Sequence, residues 1–385
     1  MLPNKKLILT LVVLCLHTAV WSEEFQPMNI MFVVAYFPAP SQTYILNMIT
    51  GLIDRGHNVS IFAFRKNDVE GQPDIQKYGL LDSVIYEQFP AKLPECDIVF
   101  CQNGKLGRKV AENIMLSDWL KDRKLVICLR GSDITSNVKN NPDLYNDLFI
   151  QADLFLPVCN YFKQRLVALG CDPNKVIVYH SAINCSRFFF KKRKKPKKGP
   201  IRLVSVCRLI KKKGMDDAIR AVALVAKKYP QIHFTIVGEG LEHVRLEKLI
   251  KKLNITNRVT LFGWGTQEQV VAILDKAHIF LSPSITSTHG NEEGIANSLK
   301  EAMAMGLISI GTWHAGTPEL IRDGISGFLA SEKNSVQLAH IIEYIIEHPE
   351  RWETIGFAAR KKVEEEFEIT RSVEQLEKIF YQLLA

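Results

Sequence analysis

From residue 28 onward the chain alternates short apolar runs with amphipathic stretches, and this alternation constrains the fold more than any other feature. Ile30–Ala35 is a continuous apolar run, as in strands that are buried on both faces. Tyr44–Arg55 has helical periodicity and ends at Gly56. Strands that alternate with helices are typical of parallel sheets with right-handed crossovers. The sequence therefore predicts an α/β fold of doubly wound, Rossmann-like sheets.

The alternation is interrupted once, by a basic run, and this interruption suggests two domains. The 385 residues exceed what one hydrophobic core usually holds, and the composition, 47% hydrophobic and 23% charged, is that of a globular protein. In doubly wound sheets ligands bind beyond the carboxyl ends of the strands, so we expect a site in the cleft between the domains. The predicted boundaries are a signal peptide or anchor at 1–27, an N-terminal domain at 28–190, a basic linker at 191–200, a C-terminal domain at 201–365, and a C-terminal helix at 366–385 that returns to the N-terminal domain.

The first 27 residues have the layout of an export signal, with two lysines, the apolar stretch Leu7–Leu16 and a candidate cleavage site at Ala19–Ser22. The apolar stretch is short for a transmembrane helix, and Met28 offers a second start. A cleaved signal, an anchor and a misassigned start therefore stay open. None of the eight cysteines forms a CxxC pair, which favours core residues in a reducing compartment. We expect a protein of the cytoplasm or the cytoplasmic membrane face, with export as the alternative.

The net charge of +8 favours anionic partners, which include phosphates, acidic lipids and nucleic acid. Much of the excess lies in the run at 191–200. A solvated linker is the first interpretation of this run, and a contact with an anionic membrane surface is the second. A nucleic-acid role would rest on this run alone, so we expect no nucleic-acid partner.

The most informative motif follows the apolar run that ends near Pro283. A polar loop leads to Glu293 and then to a helix entered through Gly294. The free N–H groups and positive dipole end of such a helix bind phosphate. Glu301 comes two turns later, on about the same helical face, and carboxylates accept hydrogen bonds from sugar or ribose hydroxyls. A surface helix with acidic residues in its first turn is the alternative.

A second cluster lies after the first strand that follows the basic run. Arg208 comes at the end of this strand, and Lys213 precedes Gly214, which opens a helix. A planar guanidinium and a flexible ammonium at one edge of a cleft suit a diphosphate. Loop charges of little energetic consequence are the alternative. The glycines of Val237–Gly240 mark another strand–helix turn and are a weaker signal.

Taken together and in this order, the motifs resemble those of the retaining glycosyltransferases of family 4, the glycosyl transferases group 1. The resemblance covers residues 28–385 and is greatest to the exopolysaccharide and colanic-acid type. It implies the GT-B fold, in which two doubly wound domains face each other across a cleft. The matching motifs are Arg208…Lys213-Gly214, Val237–Gly240, Glu293-x7-Glu301, Gly316-x-Pro318-Glu319, Asp323-Gly324 and Gly327-Phe328.

The resemblance also implies a role for each matching residue. Arg208 and Lys213 would neutralise the donor diphosphate, and Glu293 would hold hydroxyls of the donor sugar; these three form the catalytic set. Glu301 would hold the ribose. The remaining donor-binding positions are Gly294, Ile295, Ala296 and Asn297 around the distal phosphate, and Gly238, Gly263 and Trp264 around the nucleotide. The acceptor-side positions are Ser41, Arg130 and Asp133.

The implied reaction is transfer of a hexose-type sugar, with retention, from a nucleotide-diphosphate sugar to a glycan or lipid-linked acceptor. The chain contains no Asp-x-Asp motif, so we expect neither a metal nor another cofactor. Two alternatives share the fold: a nucleotide-sugar epimerase and a non-catalytic nucleotide-sugar-binding protein. No hydrolase triad is indicated, because His180, His289 and His314 have no identifiable partners in the sequence.

The chain departs from the family pattern in the first loop (Pro38–Thr43), at Ser181-Ala182 and at Arg130. Many relatives have His-Gly-x-Asp, whereas this chain has Arg130-Gly-Ser-Asp133. A permanent cation thus replaces an imidazole, and both acceptor binding and phosphate binding stay open for Arg130.

Overall fold

The computed structural model describes residues 26–38, 42–67, 73–86, 95–114 and 123–385. Two six-stranded parallel sheets, each covered by helices, form the described part of the chain. This confirms the predicted α/β architecture. The signal-like segment lies outside the described residues except for Gln26 and Pro27. None of the helices in the described ranges has both the length and the apolar character that crossing a bilayer requires.

The N-terminal sheet has the strand order β3-β2-β1-β4-β5-β6, with all neighbours parallel. Its central strands are buried along their length because helices cover both faces. The strands are β1 (Asn29–Val34), β2 (Asn58–Ala63), β3 (Val84–Tyr86), β4 (Ile98–Cys101), β5 (Lys124–Leu129) and β6 (Leu154–Pro157).

The C-terminal sheet has the order β12-β11-β10-β7-β8-β9, also parallel throughout. The order reverses direction beside β7 and β10, which makes this the point where ligands bind in such sheets. The strands are β7 (Ile201–Val206), β8 (Ile232–Val237), β9 (Val259–Gly263), β10 (Ile279–Leu281), β11 (Ile308–Thr312) and β12 (Phe328–Ala330).

Helices connect the strands and cover both sheets. In the N-terminal half they are α1 (Thr43–Asp54), α2 (Pro73–Lys77), α3 (Gly104–Ile114), α4 (Ser136–Lys139), α5 (Asn146–Gln151) and α6 (Asn160–Ala168). In the C-terminal half they are α7 (Met215–Lys228), α8 (His243–Lys252), α9 (Gln267–Lys276), α10 (Asn297–Ala304), α11 (Thr317–Leu320), α12 (Ser335–Glu347), α13 (Trp352–Glu366) and α14 (Ile369–Leu384).

The apolar pattern of Val176–Tyr179 predicts a strand, and this prediction is wrong. Val176–Tyr179 is irregular and forms a single bridge, from Val176 to Phe155 of β6. Two backbone hydrogen bonds keep it beside β6, since the amides of Ile177 and Tyr179 donate to the carbonyls of Phe155 and Pro157 at 3.0 and 2.9 Å. The apolar pattern of this segment therefore reflects burial against the sheet edge without a regular ladder.

The basic run is bound to the C-terminal domain over part of its length. Arg193 is buried, and its guanidinium donates to the carbonyls of Met305 and Ala277 at 2.8 and 3.0 Å. Lys191 forms an ion pair with Asp275 at 2.8 Å. The interpretation as a solvated linker is therefore wrong at Arg193, because carbonyls at the C-terminal ends of α9 and α10 accept from its buried guanidinium.

The last helix, α14, packs on the N-terminal domain. Phe380 contacts Phe100 of β4 edge-to-face, with ring centroids 5.4 Å apart. The buried carboxylate of Glu377 lies 2.9 Å from Nε2 of His57 and accepts from Arg55 at 2.6 Å. Since Nδ1 of His57 accepts from the amide of Met28, Nε2 carries the proton that it donates to Glu377. These contacts join the chain end to the first sheet.

We predict that Glu377→Ala lowers the free energy of unfolding by about 2 kcal/mol, because it leaves the N–H of buried His57 without an acceptor. Glu374→Ala is the matched control on the same helix, since Glu374 is exposed and lies 3.6 Å from Arg55. It should change the free energy by less than about 0.5 kcal/mol. Urea unfolding at pH 7 measures both, and equal losses would contradict the role of Glu377.

Candidate functional site

A cavity of about 490 Å³ lies between the two domains, at the carboxyl ends of the central strands. Its volume is in the range of small-molecule binding sites. Side chains from both sheets line it, and most are polar or charged. Seven of the residues singled out from the sequence are among them: Arg130, Asp133, Arg208, Lys213, Glu293, Ile295 and Asn297.

The other predicted positions do not line this cavity. Gly294 and Ala296 lie just before α10 and Glu301 lies within it. Gly238 and Gly263 adjoin each other at the ends of β8 and β9, where the amide of Gly238 donates to the carbonyl of Gly263 at 2.8 Å. Trp264 follows them with an exposed side chain. Ser41 lies outside the described residues.

The centre of the site is an ion pair between Glu293 and Lys213. Oε2 of Glu293 lies 2.6 Å from Nζ of Lys213 and 3.5 Å from Nζ of Lys212. Burial by itself would raise the pKa of Glu293, but the charges of Lys213, Lys212 and Arg208 outweigh it and lower the pKa to about 2. Glu293 is therefore an anion throughout the physiological pH range and cannot donate a proton there.

A glycine fixes the loop that carries these lysines. Gly214 has a φ of 64°, and a Cβ at this position would lie 1.8 Å from the carbonyl oxygen of Pro283. Only glycine fits this close approach between the loop after β7 and the loop after β10. The contact brings Lys213, from the first loop, to Glu293, from the second.

His314 and Glu332 hold the Glu293 loop from behind, and the sequence alone did not indicate them as partners. The amide of Glu293 donates to Nε2 of His314 at 2.9 Å, so Nδ1 carries the imidazole proton. This Nδ1 donates to the carboxylate of Glu332, which also accepts from the amide of Thr286 at 2.7 Å. The sequence did not reveal the partner of His314, because Glu332 lies on a different loop.

Helix α10 begins at Asn297, and Ala296 before it has an extended backbone. Because Glu293 precedes the helix, helical spacing does not place it on the same face as Glu301. No group in the described part of the chain accepts from the amides of Gly294, Ile295, Ala296 or Asn297. These donors at a helix N-terminus suit an anionic ligand. Burial raises the pKa of Glu301 to about 7, although Lys300 opposes this shift.

Arg130 and Asp133 form the opposite wall. The Asp133 carboxylate accepts from the backbone amides of Arg130 and Gly131, at 3.2 and 2.8 Å, and therefore fixes the loop after β5. The Arg130 guanidinium donates to Ser181 Oγ at 2.7 Å and to Gln102 Oε1 at 2.9 Å. Asp133 thus positions backbone, whereas Arg130 presents a guanidinium to the cavity.

Two carboxylates of the C-terminal domain contact helix α6 of the N-terminal domain. Glu319 accepts from the amide of Asn160 at 2.8 Å and lies 3.1 Å from Nε2 of His180. Glu292 pairs with Arg165 at 2.9 Å. His180 therefore has a partner that the sequence did not reveal. These contacts hold the two walls of the cavity together.

The arrangement combines cations, free amides and the ionised carboxylate of Glu293 in a single cavity. It can therefore bind a diphosphate and hydroxyl groups side by side. Over the described ranges, no three side chains of His, Cys, Asp or Glu come together as a metal ligand set.

Comparisons with known proteins agree with this geometry. The family model "Glycosyl transferases group 1" matches residues 186–362. AmsK of Erwinia amylovora, an amylovoran biosynthesis glycosyltransferase, is 30% identical over 412 residues, covering 92% of this chain and 100% of AmsK. WcaL of Salmonella typhimurium, named for colanic acid biosynthesis, is 29% identical over 393 residues, covering 88% and 96%.

A solved structure of Anabaena HepE in complex with UDP-glucose has a TM-score of 0.76 and 18% identity, covering 92% of this chain and 100% of HepE. At this identity the likeness shows the fold alone. The match to AmsK extends over both domains. The chain therefore belongs to the glycosyl transferases group 1, and it is a glycosyltransferase with the GT-B fold.

Proposed function

We propose that this chain transfers a hexose, with retention and without a metal, from a nucleotide-diphosphate sugar to a glycan or lipid-linked acceptor in exopolysaccharide synthesis. The observation that supports this most directly is the joint position of Arg208, Lys213 and Glu293 in the interdomain cavity. The relatives named for amylovoran and colanic acid biosynthesis support the exopolysaccharide assignment.

The donor diphosphate would bind between the loop after β7 and the start of α10. Arg208 and Lys213 supply positive charge from one side. The amides of residues 294–297 approach from the other side. Breaking the bond between the anomeric carbon and oxygen leaves its electron pair on the diphosphate, so negative charge grows there. Cations and N–H groups that are already in place stabilise this charge without reorganising.

The donor sugar would lie against Glu293. The Glu293 carboxylate is ionised beside Lys213 and Lys212, so it can accept hydrogen bonds from sugar hydroxyls. Donor binding would replace the Glu293–Lys213 contact with two new ones. A sugar hydroxyl would donate to the Glu293 carboxylate, and the Lys213 ammonium would donate to a phosphate oxygen. His314 keeps the backbone of Glu293 fixed during this exchange, because it accepts from the Glu293 amide.

The acceptor would enter from the N-terminal wall, where Arg130 lies. The Glu319 and Glu292 contacts across the cleft keep the walls close. A closed cleft excludes water and so favours transfer to an acceptor over hydrolysis. The epimerase and the non-catalytic protein are not favoured, because the full-length relatives are named glycosyltransferases.

We predict that Lys213→Ala weakens nucleoside diphosphate binding about tenfold, because one charge-assisted contact to phosphate is lost. Lys211→Ala is the matched control in the same helical turn, since Lys211 is exposed and lies 3.6 Å from Glu242. It should leave the affinity unchanged. Calorimetric titration with UDP, GDP and ADP measures both variants. An equal effect of the two substitutions would contradict a specific role for Lys213.

We predict that nucleoside binding falls as the pH decreases through 7. Burial raises the pKa of Glu301 to about 7, so below this pH the neutral acid predominates and accepts more weakly from ribose hydroxyls. Between pH 8 and pH 6 the charged fraction drops by about tenfold. Binding of uridine, guanosine and adenosine, which lack phosphates, is measured by NMR titration at both values. Glu301→Gln should abolish the pH dependence, and an unchanged dependence would exclude Glu301 as its source.

A further inference from the structure

The N-terminal wall of the cavity contains a guanidinium that is rigidly held by neutral groups. Arg130 donates through one terminal nitrogen to Ser181 Oγ at 2.7 Å and through the other to Gln102 Oε1 at 2.9 Å. Its Cζ lies 4.2 Å from the centroid of the Tyr44 ring. Each terminal nitrogen has a second N–H, so the side chain can still donate a pair of hydrogen bonds.

Arg130 has no carboxylate partner. The carboxylate nearest to it in sequence, Asp133, accepts from backbone amides, including that of Arg130 itself. Throughout the described part of the chain, no ion pair involves the Arg130 guanidinium. Lys212 and Lys213 of the same cavity differ in this respect, since they share Glu293.

A second cation lies behind the same wall. Lys300 is completely buried, and Nζ donates to the carbonyl of Ser181 and to Oδ1 of Asn297, the latter at 3.0 Å. Its ammonium also lies 5.4 Å from the ring centroid of Phe367. Ser181 therefore contacts both cations, through its side chain to Arg130 and through its carbonyl to Lys300.

Both cations raise the electrostatic potential of this wall, and within the described residues neither has a carboxylate in ion-pair contact. Burial and the charge of Arg130 lower the pKa of Lys300 to about 7, which is the direction expected for two positive groups that share one region. Buried charges in proteins are normally paired. A planar guanidinium with free N–H groups matches the oxygens of a carboxylate or a phosphate.

We propose that the Arg130–Lys300 wall binds an anionic group of the substrate, a carboxylate or a phosphate, that faces the N-terminal sheet. The inference rests on the proposed glycosyltransferase function and narrows its substrate class. The anionic group has two sources. It is either a carboxylate on the donor sugar, as in a hexuronic acid, or an acidic group on the acceptor. The donor diphosphate is assigned to Arg208 and Lys213 of the C-terminal domain, so the group proposed here is a further anion of the substrate.

The test compares matched neutral and anionic ligands. The affinities for UDP-glucose and UDP-glucuronate are compared to test whether the anionic group belongs to the donor. The affinities for glucose, glucuronate and glucose 6-phosphate are compared to test whether it belongs to the acceptor. The monosaccharides are titrated with and without saturating UDP. The full chain and four variants are used: Arg130→Gln, Arg130→Lys, Lys300→Met and, as the control, Arg108→Gln. Arg108 is a partly exposed arginine of α3 that pairs with Glu112 at 2.7 Å, away from the cavity lining.

In at least one pair, the wild type should bind the anionic ligand about tenfold more tightly than the neutral one, because the anion gains one charge-assisted hydrogen bond. Arg130→Gln should abolish this preference, and Arg130→Lys should retain part of it because the charge stays while the fork is lost. Lys300→Met leaves the cavity lining intact and should reduce the preference several-fold. Arg108→Gln should retain it in full, and melting temperatures establish that each variant is folded.

Three results would overturn the proposal. Equal binding of neutral and anionic members by the wild type is the first. An undiminished preference in both Arg130→Gln and Lys300→Met is the second. The third is a loss of UDP affinity in Arg130→Gln as large as the loss for the anionic sugars, which would place Arg130 on the donor diphosphate. Failure of UDP, GDP and ADP to bind would contradict the proposed function alone, because the monosaccharide titrations without nucleotide still test the wall.

Discussion

The contact between the Glu293 carboxylate and the two lysines that follow β7 is the interaction on which the cleft depends. Lys213 at 2.6 Å and Lys212 at 3.5 Å keep Glu293 ionised despite its burial. An isolated carboxylate at this depth would be costly and would tend to become neutral. The pair also joins the loops that follow two neighbouring strands, β7 and β10. One electrostatic contact thus sets both the shape and the charge of the cavity wall formed by these two loops.

Backbone packing makes this contact specific. The close approach at Gly214 fixes one loop, and His314, with Glu332 behind it, fixes the other. The C-terminal loops also pack directly on the N-terminal domain, since a Cβ at Gly316 would lie 2.7 Å from Cβ of Cys159. Cations, carboxylate and free amides are therefore held in place before a ligand binds, which is the condition for electrostatic catalysis.

Periodicity and chain order predicted much of this arrangement. The alternation of apolar runs and helices gave the parallel sheets, and the topology of such sheets brings Arg208, Lys213 and Glu293 to one edge. The prediction of a strand at Val176–Tyr179 was wrong, because burial at a sheet edge produces the same apolar pattern as a hydrogen-bonded strand. The three-residue strands β3 and β12 were missed because they are too short to show alternation.

Side-chain partners were the part that the sequence could not supply. His314 and Glu332 meet across two loops, and Lys300 reaches Ser181 in the other domain. No local spacing encodes such contacts, because they depend on the relative placement of whole elements. The helical argument that related Glu293 to Glu301 failed for a similar reason: the residues before Asn297 leave the helical path. The roles assigned to Gly238, Gly263 and Trp264 stay predictions.

The most direct test of the account is product analysis with Glu293→Gln. Wild-type protein and variant are incubated with UDP-, GDP- and ADP-linked hexoses and a membrane and glycan extract, and nucleoside diphosphate release and sugar transfer are followed by NMR. The wild type should release nucleoside diphosphate and transfer sugar from one donor, and both rates should fall about 100-fold or more in the variant. Transfer by the variant at the wild-type rate, or conversion of the donor to an epimer without diphosphate release, would contradict the account.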